Sequence, residues 1–527
     1  MKRIIIVTIL LLVAAGYMTV AYFKNLSPPG LHTSQVMSHI PGDAAFIFEF
    51  SNDNGFDEIF QGNTLLPAVA GKQTLDELSL LREQVLTKTL LKNYFYGQDI
   101  FISLHPAKND SLNLLITIPA VKTLEEGIFN NIGKSNLLVS PYTVAGKKGY
   151  TFFVKALNRR FYTIVNNNNI LSGSFSKELI ETTAAYDDKK KQPFELLPAK
   201  QNSNSPANLY VNYRELNALF DNLFKNSNTD IFKSFRVLPA TAVLSLNYKS
   251  DALLFNGTTT TDKTAPTSYL NLFSNQQPVN NQLKNIFPST TAYFINFGVA
   301  DSKKFTTDLA DWYRKANQAK EKAALLAKIK NETGVNLQAN FNSALMHEFA
   351  IVTTRYQEKL GIIAIKDGSK LKPTMLNIST GMSENSGRFN YDKVPYFLLG
   401  DAFGIFRKPY FMVIDNYLLL ANSYAELESY YETYINGKFL IKMDSYNLFD
   451  NLLAQSSNVN FYLNFKNSQT ILRRDLSKPM YDLFKKNEPG FNDYYALSYQ
   501  LTASDKNFYT NFCMKLNPAD TTLSANK

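Results

Sequence analysis

Cysteine is nearly absent from this chain of 527 residues, and its one copy, Cys513, has no partner for an intramolecular disulfide. The fold therefore rests on packing alone, and a Cys-x-x-Cys site is impossible. Cys513 lies in the apolar run 508–514, which predicts a buried structural thiol. Histidine is also scarce, at four. His32 and His39 flank a short tether with no carboxylate pattern beside them, and His347-Glu348 lacks the second histidine of a zinc helix. His105 closes a hairpin strand and reads as a surface residue. The sequence has no Gly-x-Ser-x-Gly elbow, no phosphate-cradling Gly-x-x-x-x-Gly-Lys, no Gly-x-Gly-x-x-Gly and no acidic calcium loop. The adjacent acids Glu125-Glu126 and Asp187-Asp188 do not face one site. Acids distant in sequence, paired as in a glycosidase, are not excluded. These absences assign no catalytic residue, no cofactor and no metal, and the expectation is a protein that is not an enzyme.

Charge is present but dispersed. The net charge is +10, and its longest basic run, Lys189–Lys191, follows two aspartates. That pattern fits a solvated loop, with an anionic membrane surface as the alternative, and gives no nucleic-acid footprint. Hydrophobic residues make up 45% of the chain, enough for real cores, and the length predicts more than one domain.

The longest apolar run is Ile4–Phe23, twenty residues without a charge and preceded by Lys2-Arg3. It matches the length that crosses hydrocarbon, with a short cytoplasmic N-terminus at 1–3 and the body outside. A cleaved signal peptide is the competing reading and exports the same body. The expected location is thus the inner membrane, single-pass, with the body in the periplasm. Ser27-Pro28-Pro29-Gly30 ends the apolar run and makes 24–37 a tether.

Beyond the tether, strand-like and helix-like runs alternate, and the second half echoes the first. Pro41 with Ala45-Phe46-Ile47-Phe48-x-Phe50 matches Pro288 with Ala292-Tyr293-Phe294-Ile295-x-Phe297, an offset of 247 residues. Leu112–Ile118 matches Leu360–Lys366, and Phe161–Asn167 matches Tyr410–Asn416. The clearest pair is Asn208-Leu-Tyr-Val-Asn-Tyr with Asn460-Phe-Tyr-Leu-Asn-Phe. Matches in the same order with slowly rising offsets predict two tandem, related domains at 38–262 and 283–518. A linker at 263–282 separates them, and a disordered tail follows at 519–527; one large sheet continued across both halves is the alternative. The expected class is α+β, with antiparallel sheets packed by helices.

Two groups of residues stand out as candidate surfaces. Asn208, Tyr210 and Asn212, with Asn460, Tyr462 and Asn464, alternate with apolar residues and share one face of their strands. That face would line a binding surface or carry hydrogen-bonded tips under a helix. Phe305, Leu309, Trp312, Ala316, Ala319, Ala323 and Leu326 recur at spacings of four and three, an apolar seam on one long helix over 302–331. The seam packs on its own domain or on a coiled-coil partner.

In layout the chain resembles uncharacterised, exported, membrane-anchored proteins of Gram-negative bacteria, Bacteroidetes-like, with repeated α+β halves. The resemblance rests on the apolar N-terminal run, the Pro41-led first strand and the Asn/Lys/Tyr/Phe-rich style, and it implies no catalytic residues. The expected function is a non-enzymatic binding or scaffold protein of the cell envelope, anchored by its N-terminal helix and partnered by an envelope protein or lipid. A carrier for an apolar ligand (lipid, glycan or peptide) is the alternative and requires an elongated apolar cavity. A hydrolase with dispersed carboxylates is the third reading.

Overall fold

A computed structural model of the chain describes residues 36–518, apart from 53–64, 66–70, 107–111, 133–136, 168, 187–204, 226–234, 236, 263, 265–267 and 488–489. Ile4–Phe23, His32, Asp187-Asp188, Lys189–Lys191 and the tail 519–527 lie outside the described residues. Among the described residues no helix is long and apolar enough to cross a membrane. This overturns the expected single-pass location in the inner membrane with a periplasmic body.

The fold is α+β and built on one large antiparallel sheet of 20 strands. The first ten are β1 (Phe46–Ser51), β2 (Asp99–Pro106), β3 (Leu112–Pro119), β4 (Leu138–Val144), β5 (Lys147–Val154), β6 (Arg159–Asn166), β7 (Ile170–Ser174), β8 (Ala207–Asn212), β9 (Ala240–Tyr248) and β10 (Ala252–Thr261). The next ten are β11 (Thr291–Gly298), β12 (Leu345–Thr354), β13 (Lys359–Ile365), β14 (Ser379–Gly381), β15 (Ser386–Phe389), β16 (Tyr410–Ile414), β17 (Tyr417–Ala421), β18 (Val459–Asn464), β19 (Tyr494–Ser504) and β20 (Asn507–Leu516).

The first ten pair in the spatial order β4-β5-β6-β7-β3-β2-β1-β8-β9-β10. The second ten pair in the order β14-β15-β16-β17-β13-β12-β11-β18-β19-β20. The halves join edge to edge through β10 and β20, where Asn256 stands opposite Asn511. Backbone hydrogen bonds thus run across the boundary without a gap, so neither β10 nor β20 is left as an open edge.

Helices cover both faces. On one face lie α1 (Lys72–Leu81), followed by a π-helical turn over Arg82–Thr87, and α3 (Leu216–Leu223). Before it in the chain, α2 (Lys177–Ala185) packs Leu179 and Ile180 against Leu115 and Ile164 on the opposite face. In the second half α4 (Ser302–Lys315) and α5 (Ala319–Thr333) are separate helices, so the expected single helix over 302–331 is corrected. Asn317, at φ 58°, turns the chain between them. Phe305 and Leu309 are buried, Trp312, Ala319 and Leu326 are half-buried, and Ala316 and Ala323 are exposed, so the seam does not run on as one stripe. Later come α6 (Tyr424–Ile435), α7 (Phe465–Asp475) and α8 (Lys478–Lys485). Helix α6 starts with a capping box between Ser423 and Glu426. The Thr74-x-x-Glu77 sequence has the same form but lies inside α1, which Gly71 precedes without a side-chain cap.

Gly257 marks the tightest approach near the seam. A Cβ there would sit 1.9 Å from the Val243 carbonyl oxygen, which belongs to the neighbouring strand β9. Gly257→Val is expected to destabilise the protein by about 3 kcal/mol in chemical denaturation, through forced backbone shifts. A loss of amide protection in hydrogen exchange should concentrate in β9, β10 and β20.

Candidate functional site

The first half of the sheet has an inverted distribution of polarity. On its central strands the polar side chains are the buried ones: Glu49 is 4% exposed, and Ser103, His105 and Thr117 are at most 1% exposed. The apolar side chains that alternate with them, Phe48, Ile102, Leu104, Leu114 and Ile116, remain partly accessible. The reason is a cavity of about 1200 Å³ on that face, walled by β1–β3, β6–β10 and, across the seam, β18–β20. Helices α1, α3, α7 and α8 cover it from above, through Leu75, Leu78, Leu219, Leu472 and Met480 among others. Ordinary small-molecule sites span roughly 300–1,000 Å³.

The lining is apolar almost throughout. Among the described residues around it, Arg82 carries the one formal charge; its Nε donates to Asn52 Oδ1 at 2.8 Å. Burial raises the Tyr213 hydroxyl well above the usual tyrosine range, and nearby Thr259 offsets this little. Thr259 itself pairs with Thr510 at 2.7 Å. An apolar chamber of this kind, with Arg82 as its one charged lining residue among those described, offers dispersion contacts. Among the described residues its lining holds no carboxylate, histidine or cysteine, and its hydroxyls are those of Thr74, Ser79, Tyr213 and Tyr499.

The corresponding place in the second half is filled. Phe50 and Ile100 pair across β1 and β2 and line the cavity. In the same place on β11 and β12 stand Phe297 and Phe349. Phe273 stacks on Phe297 at 4.9 Å, and Phe305 and Phe403 each lie 5.6 Å from Phe349. Ile116, opposite Ile102, has Gly361 in its place, opposite Ile351. A Cβ on Gly361 would come within 3.1 Å of Phe403 and Phe406, so its absence lets those rings seat on the sheet.

The six candidate face residues lie on the other side of β8 and β18 from the cavity. Tyr210 is 2% exposed and donates to Glu49 Oε2 at 2.6 Å, which also accepts from Asn208 Nδ2 at 3.1 Å. Asn212 accepts from Arg214 N, and Asn464 accepts from Asn467 N at the start of α7. Asn460 accepts from Ser498 Oγ at 3.1 Å, and Tyr462, wholly buried, stacks on Phe294 at 5.1 Å. Asn208, Tyr210 and Asn460 tie strands to one another, and Asn212 and Asn464 cap the turns that follow their strands. The cavity instead uses their alternates, Leu209, Val211, Phe461 and Leu463.

His105 is not at the surface; it is 1% exposed. Its Nδ1 lies 2.7 Å from Asp43 Oδ1 and its Nε2 2.8 Å from Ser103 Oγ. With the ring proton on Nδ1, His105 donates to Asp43 and accepts from Ser103, the connectivity of a serine hydrolase. Ser103, however, is wholly buried, and its side chain points to the face opposite Ile102 and the cavity. A nucleophile needs room for a substrate carbonyl, and here there is none.

His39 has its Nε2 3.2 Å from Asn167 Nδ2, and His347 has its Nδ1 3.2 Å from the Val299 carbonyl oxygen. Among the described residues no cluster of three His, Cys, Asp or Glu side chains is placed to hold a metal ion. Cys513 is 2% exposed, and burial pushes its thiol up to about 12, as expected of an inert core thiol. A second, polar hollow of about 310 Å³ lies by Asn281, Gln282 and Asn451, where Lys284 Nζ contacts both Asp450 carboxylate oxygens at 2.7 and 2.6 Å.

No protein-family model matches the chain, and no curated protein matches it. Among solved structures, a chain described as "Structure of crystal form III of TP0453" is similar at 10% identity, over 45% of this chain and 83% of its own, with a TM-score of 0.23. A likeness that low carries no argument about fold or function.

Ser103 is expected to resist acylation by a fluorophosphonate probe, read by peptide mass spectrometry, because its hydroxyl is sealed from solvent. Ser103→Ala should cost about 1 kcal/mol of stability through the lost hydrogen bond to His105.

Proposed function

We propose that the protein is a non-enzymatic binder of an apolar ligand, holding acyl chains in the cavity beneath α1 and α3. The observation that carries this reading is the partial exposure of large aliphatic and aromatic side chains on central strands inside a helix-covered, almost wholly apolar chamber. An empty apolar cavity of that size costs stability through lost dispersion contacts, and a ligand chain restores them. The filled counterpart in the second half supports the same reading, since the chain has aromatic side chains that cover the sheet where no ligand is needed.

The chain is, on this reading, two copies of one unit. Identical strand order in the halves supports it, as does the pairing of Asn256 with Asn511. One copy keeps the structural role and its aromatic filling. The other keeps the chamber.

The test is a titration of the full-length protein, after removal of bound lipid, with a series of saturated fatty acids displacing a fluorescent fatty acid. Affinity should rise by about 0.8 kcal/mol per added methylene, roughly fourfold, until the chamber is full. Ile116→Trp should abolish binding while leaving the circular dichroism unchanged. Affinity independent of chain length, or intact in Ile116→Trp, would contradict the proposal.

A further inference from the structure

We infer that the chamber's ligand is a long-chain carboxylate, and that Arg82 pairs with its head. This rests on the proposed apolar-ligand function and names the class of molecule within it. Among the described residues the lining has five polar side chains. Three of them, Thr74, Ser79 and Arg82, lie on α1 and the π-helical turn that continues it. The other two are Tyr213 and Tyr499. Polarity is thus gathered mainly on one wall, and charge on one side chain.

Arg82 is built into that wall. Its Nε donates to Asn52 Oδ1 at 2.8 Å, and Asn52 Nδ2 donates to the Phe95 carbonyl at 3.0 Å. Asn52 is 5% exposed; its backbone N–H donates to the Gln98 carbonyl, and its own carbonyl accepts from Gly97 N. A buried, fully anchored amide therefore orients the guanidinium. Asn52 follows directly on β1, so the charge stands where that strand ends, and Phe50 and Phe48 carry the apolar lining away from it. Ser79 lies three residues before Arg82, a neighbour on the same helical surface, and lines the chamber with it.

Charge decides between ligands that have the same tail. A carboxylate carried into an apolar chamber loses its hydration, and a cation with hydrogen-bond donors must replace the water. A guanidinium supplies both, in a planar fork that matches the two carboxylate oxygens. A long-chain amine would bring like charge against Arg82. A long-chain alcohol would gain the dispersion contacts and no ion pair. A molecule with one anionic end and an apolar body matches a lining with one cationic side chain and apolar walls.

The test titrates laurate, 1-dodecanol and dodecylammonium into full-length protein freed of bound lipid, by isothermal titration calorimetry at neutral pH. The three probes differ in the head group. Wild type should bind laurate about tenfold or more tightly than dodecanol, and dodecylammonium most weakly. Arg82→Met keeps an apolar stem and removes the charge. It should lower laurate affinity by about tenfold or more and hold dodecanol within about twofold, reversing the preference. Retained dodecanol binding shows that the variant is folded. Arg82→Lys, with the charge and without the fork, should fall between wild type and Arg82→Met for laurate.

Equal affinity of wild type for laurate and dodecanol, or laurate binding unchanged in Arg82→Met, would overturn the carboxylate inference and leave the apolar-ligand reading standing. Failure of wild type to bind any of the three probes would overturn both.

Discussion

Apolar side chains on the central strands of a sheet must lie against something other than water, and the rest of this structure follows from how that demand is met. In the second half the chain meets it alone. Phe273, Phe305 and Phe403 settle onto Phe297 and Phe349, with Gly361 making room. In the first half the helices span the sheet without touching it everywhere, and a chamber of about 1200 Å³ remains. The same strand order thus carries a filled core over β11 and β12 and a container over β1–β3 that reaches across the seam to β18–β20.

The opposite face makes the container affordable. There the buried polar groups of β1 and β2 are matched: Glu49 with Tyr210 and Asn208, His105 with Asp43 and Ser103. Residues 36–40 and α2 cover that face through Ile47, Phe101, Leu115 and Ile164. A buried carboxylate with its hydrogen bonds satisfied ties β1 to β8 across the sheet, so the strands hold their register without filling from the cavity side. The ladder from β10 to β20 extends that rigidity across the seam.

Much of this was legible in the sequence, and the failures have physical causes. The alternation in Asn208–Asn212 and Asn460–Asn464 put asparagine and tyrosine on the face opposite Leu209, Val211, Phe461 and Leu463, as the strands have them. Alternation cannot say which face stays open, because that depends on the helices above each face. A sharper signal was Glu49 inside an otherwise apolar strand, since a carboxylate there needs a buried partner. His105 was misplaced for the same reason: Asp43, which fixes it in the interior, lies far from it in sequence. The match of Leu112–Ile118 with Leu360–Lys366 was out of register, since strand pairing puts Gly361, not Ala364, in the place of Ile116. Short apolar strands resemble one another in any register, and backbone pairing decides between them. The seam over 302–331 kept its period through a break at Asn317 that no hydrophobic spacing could reveal. The cavity itself had no motif, because emptiness is a property of packing.

The measurement that bears most directly on the central claim is native mass spectrometry of the full-length protein as purified from its cells, before any lipid is added or removed. The account predicts an adduct at one per chain whose fragments are lipid, lost on extraction with organic solvent. A bare protein mass, together with an experimental structure in which the chain's own side chains fill the space between Phe48, Ile116 and Leu209, would contradict it.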